Sequence, residues 1–218
     1  MIKVLKSYWE LGTVVADIVE HTLALPEPKL ILPTGSTPLS LYKELVNRQL
    51  DWSTTTTFNL DEYVINPNHP QSYYSFMRKN LFDKIDIYPN NYNFPDRNTQ
   101  AYEDKINGID LCILGIGTNG HIAFNEPGSS FDSVTRVVDL DKQTIEDNSR
   151  FFDSIEDVPT QAITMGLGTI MSSKKIVLMA SGEHKLNIMN VAMAGEVTED
   201  VPASILQKHN NVEVYYCD

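Results

Sequence analysis

Lys29-Leu-Ile-Leu-Pro-Thr-Gly-Ser-Thr-Pro-Leu-Ser-Leu-Tyr-Lys-Glu-Leu-Val46 is the stretch that sets the fold class. Lys29 to Leu32 is a short apolar run, read as a buried strand. Pro33 to Pro38 is a turn of Gly, Ser, Thr and Pro. From Leu39 onward the apolar residues Leu39, Tyr42, Leu45 and Val46 recur at helical spacing. Pro38 suits the start of that helix, because the first helical position needs no backbone donor. A strand, a tight turn and a helix make the unit from which parallel sheets with helical covers are built.

The same alternation runs outward in both directions. Residues 7 to 25 repeat Trp9, Leu11, Val15, Ile18, Val19 and Leu23 on one face, and Pro26 and Pro28 end that helix. Thr54 to Leu60 is β-branched and reads as a strand ending in Asp61-Glu-Tyr63, where an Asp-Glu pair is more often a solvated turn. Ser72 to Phe82 is helical, Asp83 to Asn98 irregular, and Thr99 caps a short helix through Ile106. Ile109 to Leu114 is an apolar strand. Thr135 to Leu140 reads as a strand, Lys142 to Asn148 as a helix and Ala162 to Met165 as another strand. Leu167 to Met171 is a helical turn or two. Lys175 to Ala180 is a strand with a helix through Ala194, and Pro202 to Lys208 and Val212 to Tyr216 close the chain as helix and strand. Strands alternating with helices predict an α/β fold: a three-layer, Rossmann-like sandwich around a central, mainly parallel sheet. No linker divides the chain, so residues 1–218 read as one domain.

Composition narrows the function. The chain is 42% hydrophobic and 21% charged, with a formal net charge of −12. There is no basic field to displace counterions from nucleic acid. An anionic small molecule answers to local groups and stays possible. Cys112 and Cys217 form no disulfide framework. No apolar run approaches the ~20 residues of a membrane span, and the N-terminus lacks a leader pattern. A cytoplasmic protein that binds no nucleic acid and no membrane is expected.

Three polar stretches follow the apolar strands. Thr34, Gly35, Ser36 and Thr37 precede a helix whose amides and dipole favour an anion, although the same residues also make an ordinary capped turn. Asp61 and Glu62 follow a strand, where open α/β sheets bind ligands. Gly115-Ile-Gly-Thr-Asn-Gly-His-Ile-Ala-Phe-Asn-Glu126 follows the Ile109 to Leu114 strand. Its G-x-G-x-x-G spacing matches a dinucleotide fingerprint, but Pro127 and Gly128 leave no room for the long helix that the fingerprint must open. His121 and Glu126 lie five apart in this loop, a spacing that permits contact without dictating it. A carboxylate beside an imidazole fixes its tautomer and favours its charged form, an acid–base arrangement, and a purely structural loop histidine is the alternative. His21, His69, His184 and His209 have no metal-ligand spacing. His69, between prolines, is expected to be exposed. No G-x-S-x-G elbow is present.

Five ordered motifs carry a resemblance across the chain: Leu32-Pro-Thr-Gly-Ser-Thr-Pro38, Phe58-Asn-Leu-Asp-Glu-Tyr63, Ser72-Tyr-Tyr-Ser-Phe-Met77, Gly117 to Glu126, and Asn148-Ser-Arg-Phe-Phe152. Together they resemble the glucosamine-6-phosphate deaminases. Related 6-phosphogluconolactonases typically carry Asp-Glu-Arg at Asp61-Glu-Tyr63 and lack the Ile122 to Glu126 continuation. The resemblance implies a cytoplasmic enzyme of amino sugar catabolism that opens the ring of glucosamine 6-phosphate, isomerises it and releases ammonia and fructose 6-phosphate. It implies Asp61 as the base moving a proton from C2 to C1. It also implies His121 with Glu126 for ring opening, and Asn119 in place of a frequent aspartate. Thr34, Gly35, Ser36, Thr37, Arg150 and Lys185 would bind substrate. Neither cofactor nor metal is implied, and a place among hydrolases of carbon–nitrogen bonds is expected. Hexameric relatives bind N-acetylglucosamine 6-phosphate at basic residues and a C-terminal extension. Here Arg136 remains, Val138 replaces a lysine and the chain ends at Asp218, so a monomer without that activation is expected. The alternatives are a lactonase and a non-catalytic sugar-phosphate sensor.

Overall fold

The apolar strands pair in parallel because each is buried on both faces, which leaves helices as their covers. In a computed structural model the backbone of residues 1–218 is described, with every side chain except those of Gln143, Asp147 and Phe151. The strands are β1 (Ile2–Val4), β2 (Lys29–Leu32), β3 (Thr56–Asn59), β4 (Asp61–Tyr63), β5 (Tyr92–Asn93), β6 (Leu111–Leu114), β7 (Arg136–Asp139), β8 (Gln161–Thr164), β9 (Ile176–Ser181) and β10 (Val212–Cys217). The helices are α1 (Tyr8–Leu23), α2 (Leu39–Arg48), α3 (Tyr73–Asn80), α4 (Thr99–Glu103), α5 (Lys142–Asn148), α6 (Leu167–Met171) and α7 (Leu186–Ala194), with short 3₁₀ turns between.

Seven strands form one parallel sheet in the order β1-β10-β9-β6-β2-β3-β5. Alternate residues serve opposite cores. Leu30, Leu32, Leu111, Ile113, Val177 and Met179 meet α1 and α2 on one face. Ile31, Cys112, Leu114, Ile176 and Leu178 meet α6, α7 and the 3₁₀ turn Pro202–Lys208 on the other. Burying each such side chain contributes about 1.5–3 kcal/mol. The three-layer α/β expectation therefore holds. At α1, Ser7 accepts from the Glu10 amide at 3.1 Å, and the Glu10 carboxylate accepts from the Lys6 amide at 2.5 Å. That is a close variant of the capping box.

A second, antiparallel sheet, β4-β8-β7, stands beyond the carboxyl end of β3. The chain crosses between the sheets at Leu60, whose amide donates to Leu32 O at 3.2 Å while its carbonyl accepts from Met165 at 2.7 Å. Asp61-Glu-Tyr63 is thus a strand and not a turn. Its partner β8 lies far along the chain, so no local pattern reveals the pairing. β1 is also unforeseen, since Ile2 to Val4 is a short run whose partner β10 is at the opposite terminus. Asn98, not Thr99, caps α4, which ends at Glu103 short of Ile106.

β2 feeds β3 on one side, while β6 and β9 lie on the other. The strand order reverses between β2 and β6, and the crevice outside that reversal is where such sheets bind ligands.

Candidate active site

Glycine makes the loop after β6 possible. A Cβ on Gly117 would lie 2.1–2.3 Å from three atoms of the His121 ring, and Gly120 has φ +88°. The loop folds back on itself, with Gly117 N donating to His121 O at 2.9 Å and Gly120 N to Gly117 O at 3.1 Å. No helix intervenes between β6 and β7, so the dinucleotide spacing lacks its helix. Asn125, fully buried, anchors the far end: its amide donates to Ile122 O at 3.0 Å and Met165 O at 2.8 Å. Its oxygen accepts from Arg136 at 2.9 Å.

Within this loop Asn119 stands between His121 and Glu126. Asn119 Oδ1 lies 2.7 Å from His121 Nδ1 and accepts from the His121 amide at 3.2 Å. Its Nδ2 donates to Glu126 Oε2 at 2.7 Å. The backbone donor fixes the amide orientation, so Nδ1 carries the proton and Nε2 is left for chemistry. Glu126 Oε2 is 3.4 Å from Nδ1, and Oε1 accepts from Thr144 Oγ at 2.5 Å. Burial pushes the Glu126 carboxyl up, but its bonds to His121, Thr144 and Asn119 outweigh that and bring it down to about 2. The nearer partner of the ring is the neutral Asn119, which orients it by hydrogen bonding, while the charge comes from Glu126.

Asp61 and Glu62 are both buried, at 7% and 6% exposure, and their surroundings differ. Glu62 accepts from the amides of Tyr63, Tyr73 and Tyr74 at 2.8–2.9 Å, so it caps α3 beside the Ser72 hydroxyl. No described residue donates a hydrogen bond to the Asp61 carboxylate. Burial, and then the Glu62 charge, hold its proton affinity well above the usual carboxylate range. Asp61 pairs with Thr164, whose hydroxyl accepts from the Phe124 amide at 3.0 Å. The Tyr63 and Phe124 rings pack 5.5 Å apart. Both contacts bring β4 against the 115–126 loop.

The loop after β2 joins the same edge. Thr37 Oγ is 3.3 Å from Ser181 Oγ at the end of β9, and Lys185 Nζ donates to Ile116 O at 2.9 Å. Tyr73, whose amide donates to Glu62 at 2.8 Å, packs its ring 4.8 Å from that of Tyr63 on β4. Two amides of α2's first turn are already occupied: Leu39 N donates to Ser36 O at 3.3 Å, and Ser40 N to the Tyr8 hydroxyl at 3.1 Å. That hydroxyl also donates to Ser36 O at 2.6 Å, so Tyr8 braces the loop. Gly35, at φ +100°, supplies the bend of this loop. Arg150 lies in the 3₁₀ turn Ser149–Phe151, and Phe152, the residue after that turn, packs 5.9 Å from Tyr63.

His69 departs from expectation. It is partly buried, stacks on Phe152 at 6.1 Å and accepts from the Gln71 amide at 3.1 Å. His209 contacts Ser173 O at 2.8 Å and His21 contacts Asp17 O at 2.6 Å, both structural. Among the described residues no cluster could hold a metal ion, and no helix is long and apolar enough to cross a membrane. Sequence reasoning missed Tyr8 and Thr144, which act through contacts across the fold and stand in no distinctive local pattern. Tyr73 stands in the Ser72 to Met77 motif, but its donation to Glu62 depends on a residue eleven positions away.

The family profile described as glucosamine-6-phosphate isomerases/6-phosphogluconolactonase matches residues 11–215. A glucosamine-6-phosphate deaminase of Clostridium novyi is 49% identical, covering 95% of this chain and 92% of that one. One from Mycoplasma mycoides is 47% identical, covering 97% and 92%. A solved structure described as a monomeric glucosamine-6-phosphate deaminase superposes with a TM-score of 0.95 at 39% identity, covering 99% and 96%. A 6-phosphogluconolactonase from Thermotoga maritima has a TM-score of 0.79 at 20% identity, covering 100% and 98%, a likeness of fold alone. The match over nearly the whole chain and the deaminase relatives at almost half identity place this protein in the glucosamine-6-phosphate isomerase/6-phosphogluconolactonase family.

Proposed function

We propose that the protein is a glucosamine-6-phosphate deaminase, converting glucosamine 6-phosphate and water to fructose 6-phosphate and ammonia. The observation that carries this reading is the pairing of a buried carboxyl, Asp61, which no described residue hydrogen-bonds, with the His121–Asn119–Glu126 chain on the adjoining loop. Ring opening needs a proton moved between the ring oxygen and the anomeric hydroxyl, and Nε2 of His121 is the group left for it. Isomerisation needs a base that takes the C2 proton and returns it to C1. Asp61 suits that step, because burial gives it a higher proton affinity than a solvated carboxylate. The C2 amine then leaves as ammonia, and water supplies the ketone oxygen.

The phosphate is assigned to Thr34, Gly35, Ser36 and Thr37, with Lys185 as a point charge and Arg150 as a bidentate donor. Holding the phosphate fixes which carbon faces Asp61, so positioning contributes as much as basicity. The chemistry proceeds by proton transfers on these side chains, with no metal or cofactor assigned a step. The expected hydrolase class is not carried forward, since the family description names isomerases. The deaminase relatives also favour this reading over the lactonase. A monomer in the cytoplasm, without activation by N-acetylglucosamine 6-phosphate, belongs to the same proposal; the structural relative described as monomeric supports the first part alone.

The test is direct: purified protein is incubated with glucosamine 6-phosphate, and ammonia and fructose 6-phosphate are measured. Equimolar appearance of both is expected. Turnover of 6-phosphogluconolactone in place of glucosamine 6-phosphate would transfer the protein to the lactonase reading, and binding without turnover of either to the sensor reading.

A further inference from the structure

We propose that Thr144 is a positioning residue for the acid–base pair, its hydroxyl fixing which oxygen of Glu126 faces His121; this deepens the deaminase reading and rests on it. Thr144 belongs to α5, outside the loop that holds the pair, and is buried at 5% exposure. Its Oγ donates to Oε1 of Glu126 at 2.5 Å, while Asn119 donates to Oε2 at 2.7 Å. Each carboxylate oxygen therefore has its own donor, one from the loop and one from α5. That arrangement leaves Oε2 facing Nδ1 at 3.4 Å. The charged group facing Glu126 is His121, and Asn119 and Thr144 are neutral.

Threonine suits the role chemically. A hydroxyl donates to a carboxylate without adding charge, so Glu126 keeps its full charge for His121. The β-branch restricts χ1, so holding the donor toward Glu126 costs little further entropy. Removing that donor leaves Oε1 part-buried and unpaired. The carboxylate must then turn toward the donor shared at Oε2 or take up a proton, and either response weakens its hold on the imidazole. Thr144 touches Glu126 and not the reacting carbons, so its influence passes through the pair.

The experiment compares Thr144→Val, which keeps shape and loses the donor, with Thr144→Ser, which keeps the donor. In substrate-free protein the ¹³C-labelled Glu126 carboxyl is titrated by NMR. In turnover assays kcat, KM and the acid limb of kcat are measured. The valine variant is expected to titrate at higher pH, to lose about tenfold or more in kcat, to keep KM within about twofold, and to show a raised acid limb. Serine restores all four. Thr144→Ala supplies the same comparison where valine does not fold. A valine or alanine variant with wild-type titration overturns the proposal, as does a serine variant impaired equally. A wild-type protein that turns over no glucosamine 6-phosphate, yet shows the titration difference, removes the deaminase reading and leaves the positioning role standing.

Discussion

The imidazole of His121 bonds first to a neutral group: Asn119 Oδ1 is 2.7 Å from Nδ1, nearer than the Glu126 carboxylate at 3.4 Å. Asn119 accepts from the ring on one side and donates to Glu126 at 2.7 Å on the other, so the amide ties the two groups together while the carboxylate charge acts on the ring from 3.4 Å. An aspartate here would lose that donor and set two carboxylates against each other. Asn119→Asp is expected to raise the proton affinity of the carboxylate pair and to move the acid limb of kcat upward by roughly one pH unit. An acid limb identical to wild type would show that the amide donor is dispensable.

The same geometry gives Glu126 a stability role with a defined sign. Its carboxyl is held at about 2 in the folded protein against 4.5 ordinarily. A depressed value means that its contribution is present above about pH 4.5 and is lost as pH falls toward 2. Glu126→Gln is expected to lower Tm at pH 7 and to flatten the fall of Tm over that acid window. Ring opening should drop by roughly 10²-fold or more. Full ring-opening activity in the variant would remove Glu126 from its role.

Asp61 has the opposite sign. Its folded proton affinity is raised by burial and by Glu62, so its contribution is present below its unfolded value and is lost as pH rises toward its folded value. Asp61→Asn is therefore expected to raise Tm at pH 7 while lowering kcat by roughly 10³-fold or more, with substrate affinity changed by less than about threefold. Calorimetry beside turnover checks both directions. A destabilised variant with unchanged turnover would contradict the assignment on both counts.

Gly117 tests the loop itself. A methyl group there would overlap the His121 ring at 2.1–2.3 Å, and the ring must leave its place against Asn119. Gly117→Ala is expected to lose roughly 10²-fold or more in kcat while circular dichroism stays native. Wild-type turnover would mean that the ring is free to move without consequence.

Arg136 is engaged within the fold, to Asn125 at 2.9 Å and Ser129 at 3.2 Å, while Val138 packs against the apolar cluster of the second sheet. Arg136→Ala should leave the buried Asn125 oxygen unpaired at a cost of roughly 1–3 kcal/mol, lowering Tm by roughly 2–4 °C per kcal/mol. Rate curves of the wild type are expected to be hyperbolic and indifferent to N-acetylglucosamine 6-phosphate. A sigmoidal curve made hyperbolic by that compound would refute this.

Much of the design was legible in the chain because its causes are local. The runs at Leu30 to Leu32, Leu111 to Leu114 and Ile176 to Met179 are apolar on both faces, and that composition alone requires a covered parallel sheet. The glycines around His121, the Thr34 to Thr37 turn and Asp61 after a strand were likewise visible, since loops at strand ends carry such residues. What stayed hidden depends on pairing at long range. Asp61 became a buried strand residue only when β8 arrived beside it, and Glu62 became a helix cap only when Tyr73 and Tyr74 turned their amides to it. Asn119 became the ring's first partner, Tyr8 took a donor from α2, and Thr144 reached Glu126 from another helix. Periodicity and residue type determine which segments bury and where the loops must be. The direction of a hydrogen bond between segments distant in sequence is settled only when packing brings the two groups together.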